Sequence, residues 1–193
     1  VEGDWSSASF LLVAAAITGH AKVSGLNINS SQADKAIIGV LSKCGVEIII
    51  DDDCISVKKN NLNSFSFDAT DCPDLFPPLV ALAAHCKGSS SIKGTHRLKE
   101  KESDRAKTLK EVFGKMGITI HLQNDFMIIE GGKISTAVVS SHYDHRIAMA
   151  AAVAALGARA EVTIRHARAI NKSYTQFFND LKNAGASVSV TDI

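Results

Sequence analysis

The chain has 193 residues, which is enough for one sizeable hydrophobic core or two small ones. Its apolar fraction of 46% and charged fraction of 21% are typical of a soluble globular protein. A net charge of +1 gives no reason to expect a nucleic acid or a membrane surface as a partner, so any anion site must be local.

The cysteine pattern and the ends of the chain add three expectations. The cysteines, at positions 44, 54, 72 and 86, include no CxxC pair and no metal-ligand spacing, which predicts reduced thiols in a cytoplasmic protein. No uninterrupted apolar run reaches the ~18 residues of a membrane span. The chain starts with Val1 rather than Met and enters a helical pattern almost at once, so we expect a piece of a longer polypeptide.

Hydrophobic periodicity predicts helices and strands along the whole chain. Helices are predicted at residues 8–17, 33–43, 79–86, 104–116, 145–156 and 174–183. Strands are predicted at residues 22–26, 46–50, 55–58, 65–67, 91–92, 118–122, 126–129, 161–164 and 187–190, with the first hairpin turning at residues 51–53. The first, third and fifth helices are apolar on nearly every side, whereas the others are amphipathic.

The glycines that end these helices recur at a regular interval. Gly19, Gly88 and Gly157 follow the three apolar helices and are 69 residues apart. The glycines that follow the amphipathic helices, at positions 45, 117 and 185, are 72 and 68 residues apart. The spacing predicts one domain, residues 1–193, with a threefold repeat of helix, strand, helix and hairpin at about residues 5–67, 68–134 and 135–193.

The repeat also predicts an architecture. A helix that is apolar all round must be buried on all sides, and three such helices share one interior only by packing on each other. We therefore expect an α+β fold, an inside-out, barrel-like arrangement with buried central helices and sheets outside. If the three helices are parallel, their N-termini lie at one end, where their dipoles add to form a positive rim.

Charged residues concentrate at the predicted helix starts. In residues 99–105, six of seven side chains are charged, and this stretch comes directly before the fourth helix. Ser103 or Asp104 is a suitable N-cap for that helix, and helix starts favour a nearby anion. Residues of three kinds share the predicted rim: cations, carboxylates and one imidazole. They are Asp74, Lys101, Glu102, Arg105, His145, Arg146 and Lys172.

Such a set suits a substrate that carries phosphate and carboxylate groups, together with a proton to be moved. Taken singly, each residue has a plainer interpretation. Asp74 and Asp144 are suitable helix N-caps, His145 a core histidine and Lys172 a surface lysine. The spacing of His142 and His145 is too weak a signal to predict a metal site.

Several motifs resemble those of a known enzyme family. Residues 101–105 are similar to the Lys-Glu-Ser/Thr-Asp-Arg signature of the enolpyruvyl transferase family, and specifically of its EPSP (5-enolpyruvylshikimate 3-phosphate) synthase members. Residues 144–149 resemble the family's Asp-His-Arg-x-Ala-Met motif, residues 172–174 its Lys-Ser/Thr-Phe/Tyr motif, and residues 1–9 the entry into its C-terminal domain. The match covers essentially the whole chain.

The resemblance implies a reaction that needs no metal or cofactor. The enolpyruvyl group of phosphoenolpyruvate passes to shikimate 3-phosphate through a tetrahedral ketal phosphate, which gives EPSP and inorganic phosphate. By the same resemblance, Asp74 holds the shikimate hydroxyls and acts as a base, and Glu102 handles the proton at the methylene carbon of phosphoenolpyruvate.

The resemblance assigns the cations as well. Lys101 contacts shikimate 3-phosphate, and Arg105, Arg146 and Lys172 bind the phosphate and carboxylate of phosphoenolpyruvate, with His145 beside them. Family members close two such domains over the substrates, so the resemblance implies that an N-terminal domain is absent here. We expect this chain alone to be inactive, and the protein to be a monomer.

Two other functions stay open. Enolpyruvyl transferases that act on UDP-sugars share the repeat fold, but lack the Lys-Glu-Ser-Asp-Arg motif. A non-catalytic anion-binding module could keep the fold without the reaction. Asp74 and Glu102 argue against that module, because simple anion binding would not place carboxylates among the cations.

Overall fold

The computed structural model describes residues 2–51, 54–158 and 161–191, so the predicted turn at residues 51–53 lies largely outside the described residues. The α-helices are α1 Trp5–Thr18, α2 Ile37–Lys43, α3 Phe76–Ala83, α4 Arg105–Lys115, α5 His145–Leu156 and α6 Phe177–Asn183. The strands are β1 His20–Ser24, β2 Glu47–Ile50, β3 Cys54–Lys58, β4 Ser66–Asp68, β5 Ser89–Lys93, β6 Ile120–Gln123, β7 Phe126–Glu130, β8 Ala137–Ser140 and β9 Val162–Arg165. Within the described ranges, no helix combines the length and the apolar character that a bilayer crossing requires.

Helices α1, α3 and α5 pack against one another and form the centre of the core. All eight residues of α3 are buried, as are nine of the twelve residues of α5. The abundant alanines of α5 let the neighbouring helix backbones approach closely, while Phe10, Leu12 and Phe76 fill the larger spaces. The expectation that the apolar helices are buried together is confirmed.

The three central helices run in the same direction. At one end, Asp74 directly before α3 and Asp144, the N-cap of α5, bind the same guanidinium group. At the other end, a Cβ atom on Gly157 would lie 2.5 Å from His85 Cε1 and 2.6 Å from Ile17 Cγ2. The positive ends of the helix dipoles therefore face one side of the molecule.

Three separate sheets accompany these helices, in the strand orders β1–β3–β2, β4–β5–β7–β6 and β8–β9. The pairs β4–β5 and β8–β9 are parallel and are connected through α3 and α5, respectively, whereas β2–β3 and β6–β7 are antiparallel hairpins. Residues along most strands alternate between more and less exposed positions, so one face of each sheet is turned toward the helices. The described strands do not join into a closed barrel.

The amphipathic helices α2, α4 and α6 end in the same way. Gly45, Gly117 and Gly185 have φ angles of 89°, 89° and 98°, in the left-handed region that glycine adopts without strain. The next residue in each case donates its backbone N–H to the carbonyl five residues earlier, which is a Schellman motif. These glycines end the helices as the sequence predicts.

Some predicted boundaries are wrong. Helix α3 begins at Phe76 and not at Leu79, because Pro77 and Pro78 fit its first turn, where a backbone N–H has no helical partner. The predicted helix 33–43 divides into a 3₁₀ turn at Ala33–Ala36 followed by α2. Helix α6 begins at Phe177, three residues later than predicted.

Two strand predictions also differ from the structure. Strand β8 is not among the predicted strands, since only four residues form it and Val138 on its outer face is 55% exposed. The predicted strand at residues 187–190 is wrong. That segment has the expected alternation, but it makes no ladder with another described strand, and Val190 is 63% exposed.

Candidate active site

Arg105, the first residue of α4, is 3% exposed and lies between two carboxylates. Its Nε and Nη2 donate to Oδ2 and Oδ1 of Asp144 at 2.8 and 3.2 Å, and its Nη1 donates to Asp74 Oδ1 at 2.8 Å. Ser103 Oγ also donates to Asp144 Oδ2, at 3.0 Å. The planar guanidinium suits this bidentate pairing, and it joins the start of α3 to the start of α5.

Asp74 lies among three cations. Its Oδ1 is 3.4 Å from Lys101 Nζ and 2.8 Å from Arg105 Nη1, and its Oδ2 is 3.2 Å from Arg146 Nη2. Burial raises the pKa of Asp74, but the charges of Arg146, Lys101 and Arg105 outweigh burial and hold that pKa below its ordinary value. The Asp74 side chain is still 30% exposed, so a ligand can reach it.

Glu102 forms a second centre beside the first. His145 Nδ1 is 2.9 Å from Glu102 Oε2, and Lys172 Nζ is 3.5 Å from the same oxygen. Lys172 Nζ also donates to the backbone carbonyl of Tyr143 at 2.9 Å. The loop before α4, the start of α5 and the end of the 3₁₀ segment Ala167–Lys172 thus meet at one carboxylate.

The structure places all seven predicted rim residues in two neighbouring ion-paired groups. Asp74 pairs with three of them, and Glu102 pairs with the other two. Asp104 is the N-cap of α4 and accepts from Lys107 N, so of the two N-cap candidates the structure selects Asp104. Carboxylates within the same site therefore neutralise each predicted cation.

Asp144 does more than the N-cap interpretation assigns to it. Its side chain accepts from Arg146 N at 3.0 Å, as a cap does, and it also pairs with Arg105, thirty-nine residues away. Burial raises the pKa of Asp144, but Arg105 and the Ser103 hydroxyl hold it below its ordinary value. The local sequence signals the cap, whereas the pairing with Arg105 becomes visible only in three dimensions.

Asp34 is a carboxylate near this end that sequence analysis does not single out. It is 7% exposed and accepts from Ser6 Oγ in the first turn of α1. Burial raises the pKa of Asp34, and the charge of Asp74 adds to this effect. Asp34 lies in the 3₁₀ turn before α2, and only the structure reveals its burial beside α1.

The residues at this site do not fit a metal ion well. Ligand atoms of Glu102, Asp144 and His145 lie within 4.8 Å of one another, which is a suitable distance for a cation. Both Asp144 oxygens, however, already accept hydrogen bonds from the Arg105 guanidinium, and the Lys172 ammonium lies beside Glu102. A divalent cation here would be repelled by both of these charges.

Comparison with known proteins decides the family. A family model described as EPSP synthase (3-phosphoshikimate 1-carboxyvinyltransferase) matches residues 1–181. This chain belongs to the EPSP synthase family. The family resemblance that the motifs indicate is confirmed.

Individual family members agree with this assignment. The chain is 41% identical over 97% of its length to a 3-phosphoshikimate 1-carboxyvinyltransferase of Clostridium acetobutylicum, and 40% identical over 94% to one of Pyrococcus abyssi. The structure of EPSP synthase from Acinetobacter baumannii covers the whole chain with a TM-score of 0.86 and 29% identity. An enolpyruvyl transferase of Streptomyces tendae, at 16% identity and a TM-score of 0.72 over 97% of the chain, shares the fold.

The chain spans less than half the length of these proteins. It covers 44% of the Clostridium and Pyrococcus relatives and 48% of the Acinetobacter structure. The family is therefore established for this chain, whereas the activity of a whole family member is a property of a longer polypeptide.

Proposed function

We propose that this chain supplies one half of an active site that transfers the enolpyruvyl group of phosphoenolpyruvate to shikimate 3-phosphate. The products are EPSP and inorganic phosphate. The observation that carries the proposal is that the rim contains two carboxylates, each paired with cations. Asp74 pairs with Lys101 and Arg146, Glu102 pairs with Lys172, and all of these side chains are partly exposed to solvent. A metal or cofactor has no part in the proposed reaction.

The proposed chemistry has an addition step and an elimination step. In the addition, the 5-hydroxyl oxygen of shikimate 3-phosphate bonds to C2 of phosphoenolpyruvate, its proton passes to Asp74, and C3 gains a proton from Glu102. The product is a tetrahedral ketal phosphate. In the elimination, the bond from C2 to the phosphate oxygen breaks and C3 returns its proton to Glu102. Phosphate leaves with its electron pair and takes up the proton that Asp74 received, which restores both carboxyl groups.

The cations have matching roles in this proposal. Arg146 and Lys172 bind the phosphate and carboxylate of phosphoenolpyruvate, and Lys101 contacts the phosphate of the shikimate ester. Arg105 lies behind them, because both ends of its guanidinium are already bound by Asp74 and Asp144. We infer that Arg105 attracts the substrate by its charge and fixes Asp74, rather than clamping phosphoenolpyruvate through a free edge.

We also propose the larger organisation that the repeat predicts. Residues 1–193 form a single inside-out domain built of three units related by pseudo-threefold symmetry, at about residues 5–67, 68–134 and 135–193. The buried triplet of helices and the shared Schellman ends of α2, α4 and α6 support this. The partner is an N-terminal domain of the same polypeptide, and the whole enzyme acts as a monomer.

A domain exchange tests the proposal. This chain replaces the corresponding half of the Clostridium acetobutylicum relative, and phosphate release from phosphoenolpyruvate is measured with and without shikimate 3-phosphate. We expect turnover that depends on shikimate 3-phosphate and that falls at least about 100-fold in Glu102→Gln. Glu130→Gln, which changes an exposed carboxylate in β7, is the matched control and is expected to leave turnover unchanged.

Two results would contradict the proposal. A folded chimera in which Glu102→Gln turns over as fast as its parent would remove Glu102 from the chemistry, and turnover with a UDP-sugar in place of shikimate 3-phosphate would favour the other branch of the family. The isolated 193-residue chain is assayed in parallel. Near-normal turnover by that chain would overturn the half-site interpretation.

A further inference from the structure

Two loops in left-handed backbone conformation lie next to each other where the parallel strands β8 and β9 end. His142 and Tyr143, after β8, have φ angles of 51° and 59°, and His166, after β9, has a φ angle of 58°. Residues other than glycine adopt this conformation rarely, and surrounding contacts must offset its conformational energy. Two such residues in succession point to contacts that hold the turn.

Side chains from the two loops provide these contacts. The rings of Tyr143 and His166 stack, with centroids 4.1 Å apart and an angle of 31° between their planes. Ser140 Oγ lies 3.1 Å from His166 Nδ1 and accepts from His142 N at 3.1 Å. Ser141 Oγ donates to the backbone carbonyl of His166 at 3.0 Å. The loops are therefore linked by both rings and hydrogen bonds.

Each loop leads directly into part of the candidate site. The loop after β8 continues into the N-cap and first turn of α5, and the loop after β9 continues into the 3₁₀ segment that ends at Lys172. The backbone carbonyl of Tyr143 accepts from Lys172 Nζ at 2.9 Å, while Lys172 Nζ lies 3.5 Å from Glu102 Oε2. The carbonyl that positions the ammonium group thus belongs to a residue in a strained conformation.

We propose that Tyr143 and His166 are positioning residues, whose stacked rings hold the left-handed turn that keeps Lys172 beside Glu102. Because Tyr143 is 64% exposed, hydrophobic burial does not explain the position of its ring. The stacking of that ring on His166 explains it. The proposal rests on the proposed function only for the role of Lys172 in phosphoenolpyruvate binding. Its geometric content is independent of turnover.

The test measures the reactivity of the Lys172 amine. Acetic anhydride modifies lysines in the folded protein, and mass spectrometry gives the rate at Lys172 relative to Lys58, whose side chain is 68% exposed. We expect Tyr143→Ala and His166→Ala each to raise this ratio about two- to tenfold, because a hydrogen bond of the amine is lost. Tyr143→Phe keeps the stack and is expected to leave the ratio unchanged.

The double variant separates a shared effect from two independent ones. If the rings act as one unit, Tyr143→Ala combined with His166→Ala raises the ratio no further than either change alone. A ratio equal to that of the unsubstituted protein in a folded Tyr143→Ala variant would overturn the proposal, as would additive effects. If Tyr143→Ala does not fold, His166→Ala and Tyr143→Phe decide the question.

The outcome is distinguishable from failure of the proposed function. Enolpyruvyl transfer by the chimera, together with an unchanged labelling ratio, would overturn the positioning role alone. An increased ratio without any transfer would support the positioning role and contradict the proposed function. Urea unfolding of each variant measures any loss of global stability, so a raised ratio is assigned to the turn only in a variant that stays folded under the labelling conditions.

Discussion

The Asp74 carboxylate lies among cations that include those expected to bind the anionic groups of the substrates. Three cations surround it at 2.8–3.4 Å, and two of them, Lys101 and Arg146, are expected to bind the anionic parts of the substrates. A bound phosphate must therefore compete with Asp74 for the same cations. Once phosphate neutralises those cations, the influence that lowers the pKa of Asp74 weakens, and the carboxylate becomes a stronger base.

This competition makes a specific prediction for Asp74→Asn. In the variant, Asp74 no longer neutralises the charges of Lys101, Arg105 and Arg146. Inorganic phosphate is therefore expected to bind several-fold more tightly to the variant than to the unsubstituted protein. Isothermal calorimetry gives both dissociation constants. Asp68→Asn, which removes an exposed carboxylate paired with Lys93 outside the site, is the matched control.

Weaker phosphate binding by Asp74→Asn would contradict this competition, and would mean that Asp74 mainly orders the cations. For Asp74→Asn we expect tighter phosphate binding together with slower turnover in the chimera. An ordinary loss of structure weakens both properties, so the two interpretations remain separable.

At the residue scale, the sequence predicts the residues of the candidate site but not which of them pair. Residues 101–105 and 144–146 can be found as motifs, and Lys172 can be found by the Lys-Ser-Tyr motif at residues 172–174. The pairing of Arg105 with Asp144 cannot, because it joins residues of two separate elements. The stack of Tyr143 on His166 is equally invisible, since it depends on the parallel pairing of β8 with β9.

At the scale of elements, predictions are accurate where a local signal ends the element. Helix α5 has the predicted bounds, because Asp144 caps its start and Gly157 follows its end. Strand β8 is not predicted because it has only four residues and one of its valines is exposed. The alternation of apolar and polar residues is therefore too short to indicate a strand. The strand predicted at residues 187–190 fails for a complementary reason: alternation alone does not supply a neighbouring strand.

Two glycines, one within a helix and one after a strand, give opposite predictions for the free energy of unfolding. Gly114 lies in α4 with open space around the position of a Cβ atom, so Gly114→Ala is expected to raise the free energy of unfolding by about 0.5–1 kcal/mol. Gly131 is different, because a Cβ there would lie 1.8 Å from the backbone oxygen of Cys86. Gly131→Ala is expected to lower the free energy of unfolding by several times that amount.

Urea unfolding followed by circular dichroism measures both changes. A Gly114→Ala variant less stable than the unsubstituted protein would mean that α4 needs flexibility at that position. A neutral effect of Gly131→Ala would contradict the close approach between the segment after β7 and the end of α3.

At the scale of the whole molecule, the two ends of the central helices respond differently to acid. His85 lies at the C-terminal end, where its Nε2 is 2.8 Å from the carbonyl oxygen of Ala154 in α5. Burial lowers the pKa of His85 below its ordinary value of 6.5, and Lys59 adds to this effect. The unfolded chain therefore takes up the His85 proton more readily than the folded chain does.

The sign of the pH dependence follows from linkage. The stability that His85 contributes is present above its ordinary pKa of 6.5 and is lost as pH falls below that value, levelling off below the folded pKa. Asp74 and Asp144, whose pKa values lie below the ordinary 3.8, contribute stability that is present above that pH and lost in stronger acid. Acid thus acts first at the His85 end and then at the candidate site.

We predict that the free energy of unfolding decreases between about pH 7 and pH 5, and that His85→Gln removes much of this decrease. Glutamine can still donate to the Ala154 carbonyl but does not titrate. Urea unfolding across this range measures the slope, with His121→Gln, which changes an exposed histidine in β6, as the control. An identical slope in His85→Gln would show that other groups carry the pH dependence.

The most direct test of the central claim, that this rim is the phosphoenolpyruvate half of a transferase site, is a calorimetric titration with phosphoenolpyruvate. We predict measurable binding by the unsubstituted chain, loss of that binding in Arg146→Ala, and unchanged binding in Arg97→Ala, which changes an exposed arginine outside the rim. Binding by Arg146→Ala as tight as that of the unsubstituted chain would contradict the account, as would the absence of any binding.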